Sequence, residues 1–219
     1  MATIHYVSIF NEEDTLIPQL DLIDPRYTQT SCPVYNHKQS RIFVARSPID
    51  FIFSIDRDNN KMSCSNPEFL EYDDDDINSP KPVIQLDFPK FLFYTEDKDV
   101  WFEFNDHPMT ALKNNFIAIG GWFNLSNWSR VSSTAITLVN EKKSVIIEKG
   151  DPLFRVSFYP PNLNDNIILK KEIKTNYIEK QLNDLKDARS KSTEKDWRPR
   201  LFSKTKTESK CPFSFLFKS

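Results

Sequence analysis

Glycine is scarce in this chain: only Gly120, Gly121 and Gly150 occur among 219 residues. Neither G-x-x-x-x-G-K-[ST] nor G-x-G-x-x-G can be written with glycines at these positions, so the backbone phosphate cradles of P-loop and Rossmann proteins are excluded. The G-x-S-x-G elbow that exposes a serine nucleophile is also absent. The sequence therefore contains none of these signatures of nucleotide binding or serine hydrolysis.

Cysteine and long apolar runs are scarce too. Cys32, Cys64 and Cys211 are odd in number, widely spaced and free of any C-x-x-C pair, which is typical of free thiols in a reducing compartment. No stretch approaches the roughly 20 apolar residues of a membrane-spanning helix, and the N-terminus lacks the basic start and apolar run of a signal peptide. We therefore expect a cytoplasmic protein that does not contact a membrane.

Histidine is the third shortage, and it limits metal sites. A cupin or a non-haem iron oxygenase needs H-x-H or H-x-D/E together with a distant histidine. The three histidines are His5, His37 and His107, and neither of the last two has a ligand residue two positions later. Asp106 and His107 form either a pair of metal ligands or part of a turn. We predict the turn, and we predict no metal and no other cofactor.

A calcium loop is the other metal site that the sequence resembles in part. Asp56, Asp58 and Asn60 alternate as the oxygen ligands of such a loop do. However, Lys61 stands where the loop requires glycine, and Pro67 stands where it requires glutamate. The stretch therefore predicts a hairpin turn, because Asn and Asp tolerate the backbone conformations of tight turns.

Strand signals dominate residues 1–169. Short runs of β-branched and aromatic residues, many of them alternating, are separated by clusters of Asn, Asp, Ser and Pro. No helix-patterned run long enough for a βαβ unit occurs before residue 165. The expected fold is mainly β, either an antiparallel β-sandwich or a double-stranded β-helix-like barrel. Within it, SVIIEKGDPLFRVSFYPP, residues 144–161, is expected to form a hairpin around a Gly-Asp-Pro turn.

The pattern changes in the C-terminal part, which carries 14 Lys and Arg against 7 Asp and Glu over residues 170–219, whereas residues 1–169 carry 15 against 24. An amphipathic helix is predicted over 170–189, followed by a basic linker and an aromatic tail over 190–219. The apolar stripe of the helix consists of Ile173, Tyr177, Ile178, Leu182, Leu185 and Ala188.

The tail is predicted to bind a partner, because basic and aromatic side chains are concentrated in it. A protein partner or a second copy of the chain would be bound by adding the alternating Phe residues as a strand to an exposed sheet edge. Nucleic acid is an alternative that the acidic body disfavours, and folding of the tail over its own helix is a third. The residues of this predicted site are Trp197, Arg198, Arg200, Phe213, Phe215 and Phe217.

GGWFNLSNWSR, residues 120–130, is the most concentrated candidate for a ligand site. In one interpretation Trp122, Asn127, Trp128 and Arg130 surround a flat ligand, and the two glycines let the backbone approach it. In the other, the glycines bend a strand and both tryptophans fill the core. We expect the second arrangement and keep the four residues as the candidate site. Trp101, in VWFEF, is expected in the core.

GGWFNLSNWSRVSSTAITLVNEKKSVIIEKGDPLFRVSFYPPN resembles an uncharacterised protein family of marine tailed phages, notably cyanophages, with bacterial relatives. The resemblance rests on the Gly-Trp, Asn-Trp-Ser-Arg and Lys-Gly-Asp-Pro pieces, and extends over about residues 40–170. It brings no catalytic residues. EKGDPLFRVSFY is also similar in outline to late strands of dUTPase-like and cupin-like folds, but the dUTPase sugar- and phosphate-binding motifs and the cupin histidines are absent.

The resemblance implies a phage accessory or assembly protein that acts by protein–protein binding, and no catalytic activity is identifiable. The alternative is a cupin-like or dioxygenase-like barrel enzyme, or a small-molecule-binding protein, with a pocket near Trp122 and Trp128. A binding protein should purify folded and metal-free. An enzyme of the alternative class should carry a stoichiometric metal or bind a small anion.

Overall fold

The structure of the protein is a computed structural model. It describes residues 1–11, 13–14, 16–22, 33–59, 61–71, 82–127, 130–176, 178–180 and 182–183.

Fourteen strands are assigned within the described residues. In chain order they are β1 (Ala2–Ser8), β2 (Leu16–Pro18), β3 (Ile42–Arg46), β4 (Phe51–Asp56), β5 (Lys61–Cys64), β6 (Leu70–Glu71), β7 (Val83–Tyr94), β8 (Trp101–Asp106), β9 (Phe116–Ala118), β10 (Gly121–Asn124), β11 (Arg130–Leu138), β12 (Val145–Ile147), β13 (Pro152–Tyr159) and β14 (Ile167–Lys171). The short helices are α1 (Gln19–Leu22) and α2 (Pro33–Gln39), with a 3-10 turn at Pro67–Phe69 and a π-helical turn at Thr110–Asn114.

The strands form three sheets. The first has the order β14-β1-β7-β11-β9, with β6 also paired to β7; the second has the order β10-β8-β13-β3-β2; the third has the order β12-β4-β5. The predicted mainly-β fold is confirmed. One pair departs from the expected antiparallel arrangement, because β14 runs parallel to β1.

Phenylalanine side chains hold the sheets together in one core. Phe93 of the first sheet contacts Phe102 and Phe158 of the second, with ring centroids 5.1 and 5.7 Å apart. Phe51 of the third sheet lies 5.0 Å from Phe88 of the first. All five rings are at most 2% exposed, and burying each stabilises the fold by about 2 kcal/mol. The two larger sheets therefore pack face to face.

The predicted hairpin over residues 144–161 is wrong. Both strands are present, but β12 pairs with β4 in the third sheet, and β13 pairs with β3 and β8 in the second. Gly150 has the expected positive φ, of 92°. The turn that contains it passes the chain from one sheet to the next, so that Ile147 and Phe154 enter the same core from different sheets.

A buried polar network fixes that turn. Asp151 is 8% exposed and accepts hydrogen bonds from Glu148 N at 3.0 Å, Asn114 Nδ2 at 2.8 Å and Lys113 Nζ at 2.7 Å. Asn114 also donates to the Ile146 carbonyl at 2.7 Å. Burial raises the pKa of Asp151, but these donors outweigh burial, and the pKa lies below its usual value.

The C-terminal part of the described chain covers the outer face of the first sheet. Helical residues occur at 176, 178–180 and 182–183, and Ile178 and Leu182 pack on Val7 and Leu92. Ile173, which was expected in the apolar stripe, is 80% exposed. The reason is that β14 extends to Lys171, beyond the predicted boundary at residue 169. Ile173 therefore lies between this strand and the helical residues.

Several predictions fall outside the described residues. They include the other members of the apolar stripe, Tyr177, Leu185 and Ala188, and the tail over 190–219 with its six partner-binding residues. Partner binding by the tail stays a prediction. Within the described part of the chain, no helix combines the length and the apolar character needed to cross a membrane.

Candidate binding face on the second sheet

Two central strands of the second sheet present a row of polar and aromatic side chains on the outer face. On β8, Trp101, Glu103 and Asn105 alternate with the buried Phe102 and Phe104. Successive residues of a strand point to opposite faces, so the three partly exposed side chains face away from the core.

β13 continues the same outer surface. Arg155, Ser157 and Tyr159 lie directly opposite Asn105, Glu103 and Trp101 of β8, respectively. Because paired residues share a face, two rows from two strands form one surface. We call this surface, together with the neighbouring Trp122, the Trp122 face.

Trp122 lies on β10, the edge strand next to β8, and is 57% exposed. Its ring stacks on Tyr159 with centroids 5.4 Å apart and planes inclined by 1°, and the Trp101 ring lies 6.0 Å away at 58°. Gly120 permits this arrangement, since a Cβ at that position would lie 2.7 Å from the Phe104 carbonyl oxygen. The close approach positions β10, and with it the indole, beside β8.

Tyr159 is oriented by Glu103. The Tyr159 hydroxyl donates to Glu103 Oε2 at 2.5 Å. Burial, followed by the hydrogen bond and the negative charge of Glu103, raises the pKa of Tyr159 to about 12. Tyr159 therefore keeps its proton at neutral pH, and Glu103 retains its second oxygen as an acceptor.

Arg155 is fixed at one end of its guanidinium group. Nε donates to the Asp106 carbonyl oxygen at 2.8 Å, the only hydrogen bond of the Arg155 side chain within the described residues. The two Nη groups remain as a planar pair of donors, the geometry that matches a carboxylate or a phosphate. Arg155 borders a pocket of about 230 Å³, whose lining is Lys38, Ile42, Glu103, Asn105, Trp122, Arg155, Ser157 and Tyr159.

Lys38 belongs to α2, which Arg41 attaches to the loop after β13. Arg41 is 5% exposed, and its Nη2 donates to the carbonyl oxygens of Leu163 and Asp165, the latter at 3.0 Å. His37 Nε2 also bonds to Leu163 O at 2.6 Å. Lys38 is therefore carried by a helix anchored at its C-terminal end, and it lines the same pocket as Trp122.

Positive charges lie near both His107 and Tyr159 on this sheet. The pKa of His107 lies below its usual value, first because of burial and then because of the charges of Arg155 and Arg46. The charge of Arg41 lowers the pKa of Tyr159, although the other causes outweigh it. Acids near these groups are Glu103, Asp106 and Asp165, and Asp106 Oδ1 accepts from Thr110 Oγ1 at 2.5 Å and Ala118 N at 2.9 Å.

Of the four residues that the sequence grouped as a ligand site, only Trp122 lines the pocket among those whose side chains the structure describes. Trp122 is exposed, so the expectation that it fills the core is wrong, and Trp101 is only partly buried. Asn127 is exposed in the turn after β10 and does not line the pocket. Arg130 begins β11, in the first sheet, and nothing is described of its side chain. Trp128 lies outside the described residues.

Sequence reasoning missed most of the lining, above all Glu103, Arg155 and Tyr159. The signal was present as alternation, because WFEFN and RVSFY place polar or amphipathic residues between buried ones. Such alternation shows that a strand has an outer face. It does not show that two outer faces adjoin, because that depends on strand pairing.

At both stretches considered as metal sites, a side chain accepts hydrogen bonds from nearby backbone N–H groups. His107 Nδ1 accepts from Met109 N at 3.3 Å at the start of the π-helical turn, and Asp56 Oδ1 accepts from the Asp58 and Asn59 backbone between β4 and β5. The predicted hairpin turn is confirmed over residues 56–59, and Asn60 lies outside the described residues. Asp106 instead ends β8, and only His107 lies between this strand and the helical turn. No group of three or more potential metal ligands occurs among the residues whose placement the structure describes.

No protein-family model and no curated protein matches the chain. The chain is similar to solved structures of dUTPases at low TM-scores. One mutant of the Staphylococcus bacteriophage 80alpha dUTPase, with dUpNHpp, has 10% identity and a TM-score of 0.33, over 62% of this chain and 75% of that one. A second mutant of the same phage enzyme has 13% identity and a TM-score of 0.35, over 64% of this chain and 84% of that one. The EIAV dUTPase has 11% identity and a TM-score of 0.33, over 62% of this chain and 85% of that one. Values this low carry no site, substrate or activity over to this chain.

Proposed function

We propose that this protein is a cytoplasmic accessory protein of a tailed phage, that it acts by binding, and that its partner occupies the Trp122 face. The phage origin is supported by the sequence pieces that resemble the marine phage family. The binding role is supported above all by Trp122. Its indole is 57% exposed although it lies on a strand of the second sheet, and it borders a pocket lined mainly with polar side chains.

The position of Trp122 is not explained by folding alone. A large aromatic ring in water forfeits most of the burial energy that would favour it in the core. Trp, Tyr and Arg are the residues that most often dominate the energy of binding interfaces, and Trp122, Tyr159 and Arg155 meet here on one sheet. The stacking on Tyr159 restricts the indole before a partner arrives, which reduces the entropy lost on binding.

The polar groups of the face are suited to hydrogen bonding rather than to catalysis. A nucleophile or general base requires a neighbour that activates it near neutral pH. Tyr159 has a pKa of about 12, and Glu103 accepts the Tyr159 proton in a hydrogen bond. The pair therefore offers one oriented ring and one acceptor oxygen to a partner.

A retention experiment with three full-length proteins tests the proposal. The proteins are wild type, Trp122→Ala, and Ile146→Ala, whose side chain is similarly exposed at 51% but lies on the third sheet. Each is immobilised and incubated with source lysate, and retained proteins, nucleic acids and small molecules are identified. Wild type and Ile146→Ala should retain the same partner, and Trp122→Ala should lose it. Equal retention by a folded Trp122→Ala protein would overturn the proposal.

A further inference from the structure

The Trp122 face combines a cluster of aromatic rings with basic side chains. Trp101, Trp122 and Tyr159 cluster where β10 meets β8 and β13. Lys38 and Arg155 line the same pocket, and Arg46 follows on β3, opposite the start of β13. From β10 to β3 the face crosses three strand spacings, which is about 14 Å. A ligand that contacts both the rings and Arg46 must therefore be extended and carry rings as well as negative charge.

The charge of the face differs from that of the body around it. Residues 1–169 hold 15 basic and 24 acidic residues, yet Lys38, Arg46 and Arg155 lie on or beside this face. The acids beside them are Glu103 and Asp106, so basic side chains outnumber acidic ones there. A local excess of positive charge on an acidic protein favours a polyanion that contacts this face alone.

We infer that the partner is single-stranded nucleic acid, with a base stacked on Trp122 and a backbone phosphate held by the Nη groups of Arg155. This inference rests on the proposed function of the Trp122 face. Stacking of bases on aromatic side chains beside a basic groove is the general means of binding single strands. The strand must be single because paired bases do not expose their faces to a side chain.

Glu103 fits a base better than it fits a phosphate. Its Oε2 accepts from Tyr159, and Glu103 lines the pocket together with Trp122 and Arg155. A carboxylate there repels a phosphate but accepts a hydrogen bond from an exocyclic amino group, as Glu does from cytosine. The phosphate is therefore expected at Arg155 and the base over Glu103.

Fluorescence anisotropy with the full chain tests this inference. The probe is a fluorescein-labelled single-stranded DNA of mixed sequence, long enough to span a site of about 4–16 nucleotides. Trp122→Ala should weaken binding about tenfold or more, and Trp122→Phe should restore most of the affinity, since a benzene ring still stacks. Arg155→Gln should weaken binding and lower the slope of log K against log salt by about one, whereas Trp122→Ala should leave that slope unchanged.

Other outcomes would overturn the inference. Equal affinity for a duplex of the same length would indicate binding by charge alone. An affinity that falls for a Lys204→Gln/Lys206→Gln variant and not for Trp122→Ala would place binding in the tail. If wild type does not bind the probe but still retains a protein or a small molecule through Trp122, the inference fails and the proposed function stands. If Trp122→Ala retains every partner, the proposed function fails as well.

Discussion

Two regions of this protein use the same kinds of polar side chain in opposite ways. In the turn after β12, Lys113 and Asn114 both donate to Asp151, which is buried. On the Trp122 face, Lys38, Glu103 and Arg155 line a pocket, and the Arg155 side chain makes a single hydrogen bond within the described residues. Polar side chains that bond mainly to each other stabilise the fold, whereas those that line a shared pocket can bind a partner.

The contrast between the two regions requires that the hydrogen bonds to Asp151 stabilise the fold. Asp151→Ala removes the acceptor of three hydrogen bonds, one of them from Glu148 N, so it should lower the free energy of unfolding by about 2–4 kcal/mol. Glu148→Ala removes one exposed ion pair with Lys113 and should cost much less. Urea denaturation of both variants measures the difference. A smaller loss in Asp151→Ala than in Glu148→Ala would contradict the structural role.

The two glycines before Trp122, Gly120 and Gly121, test how β10 is held beside β8 at the binding face. A Cβ on Gly120 would lie 2.7 Å from the Phe104 carbonyl, whereas a Cβ on Gly121 would meet nothing within 4 Å. Gly120→Ala should therefore destabilise the protein by about 1–3 kcal/mol as β10 is pushed from β8. Gly121→Ala, the matched control, should be close to neutral. Thermal melts followed by tryptophan fluorescence report both effects, and equal melting temperatures would refute the close approach.

A pH dependence follows from the depressed pKa of Asp151. A carboxyl with a folded-state pKa below its unfolded value stabilises the fold above the unfolded pKa, and this contribution is lost as pH falls through the folded pKa. The stability gap between wild type and Asp151→Asn should therefore narrow as pH falls below about 4. Urea midpoints at pH 6, 4 and 3 give the gap directly. If the stability difference between the two proteins instead widens as pH falls, the pKa of Asp151 is not lowered in the folded state.

The sequence predicted strands well because alternation is a local property. VWFEF and LFRVSFY were recognised from their own residues, and they form β8 and β13. Pairing is not local, so the hairpin expected over residues 144–161 divides between two sheets. β14 was missed because IILKK is short and merges with the apolar pattern that follows it.

The candidate site was predicted at one residue, Trp122, from its place beside two glycines. Its partners Glu103 and Tyr159 come from strands that lie 19 residues before it and 37 after it in the sequence. Their adjacency depends on the order of the sheet. The side of the sheet that Trp122 occupies also depends on register, because a shift by one residue reverses every side chain of a strand.

The smallest expected effect concerns the hydroxyl of Tyr159. Tyr159→Phe keeps the ring that stacks on Trp122 but removes the hydrogen bond to Glu103, so it should cost about 1 kcal/mol. A tyrosine whose folded-state pKa is raised stabilises the fold below its unfolded pKa, near 10, and this contribution is lost as pH rises toward about 12.

Ultraviolet absorption in an alkaline titration separates Tyr159 from the other six tyrosines. When the absorbance of Tyr159→Phe is subtracted from that of wild type, the difference should correspond to one tyrosine that ionises near pH 12. A difference signal near pH 10 would mean that the hydroxyl is neither buried nor bonded to Glu103.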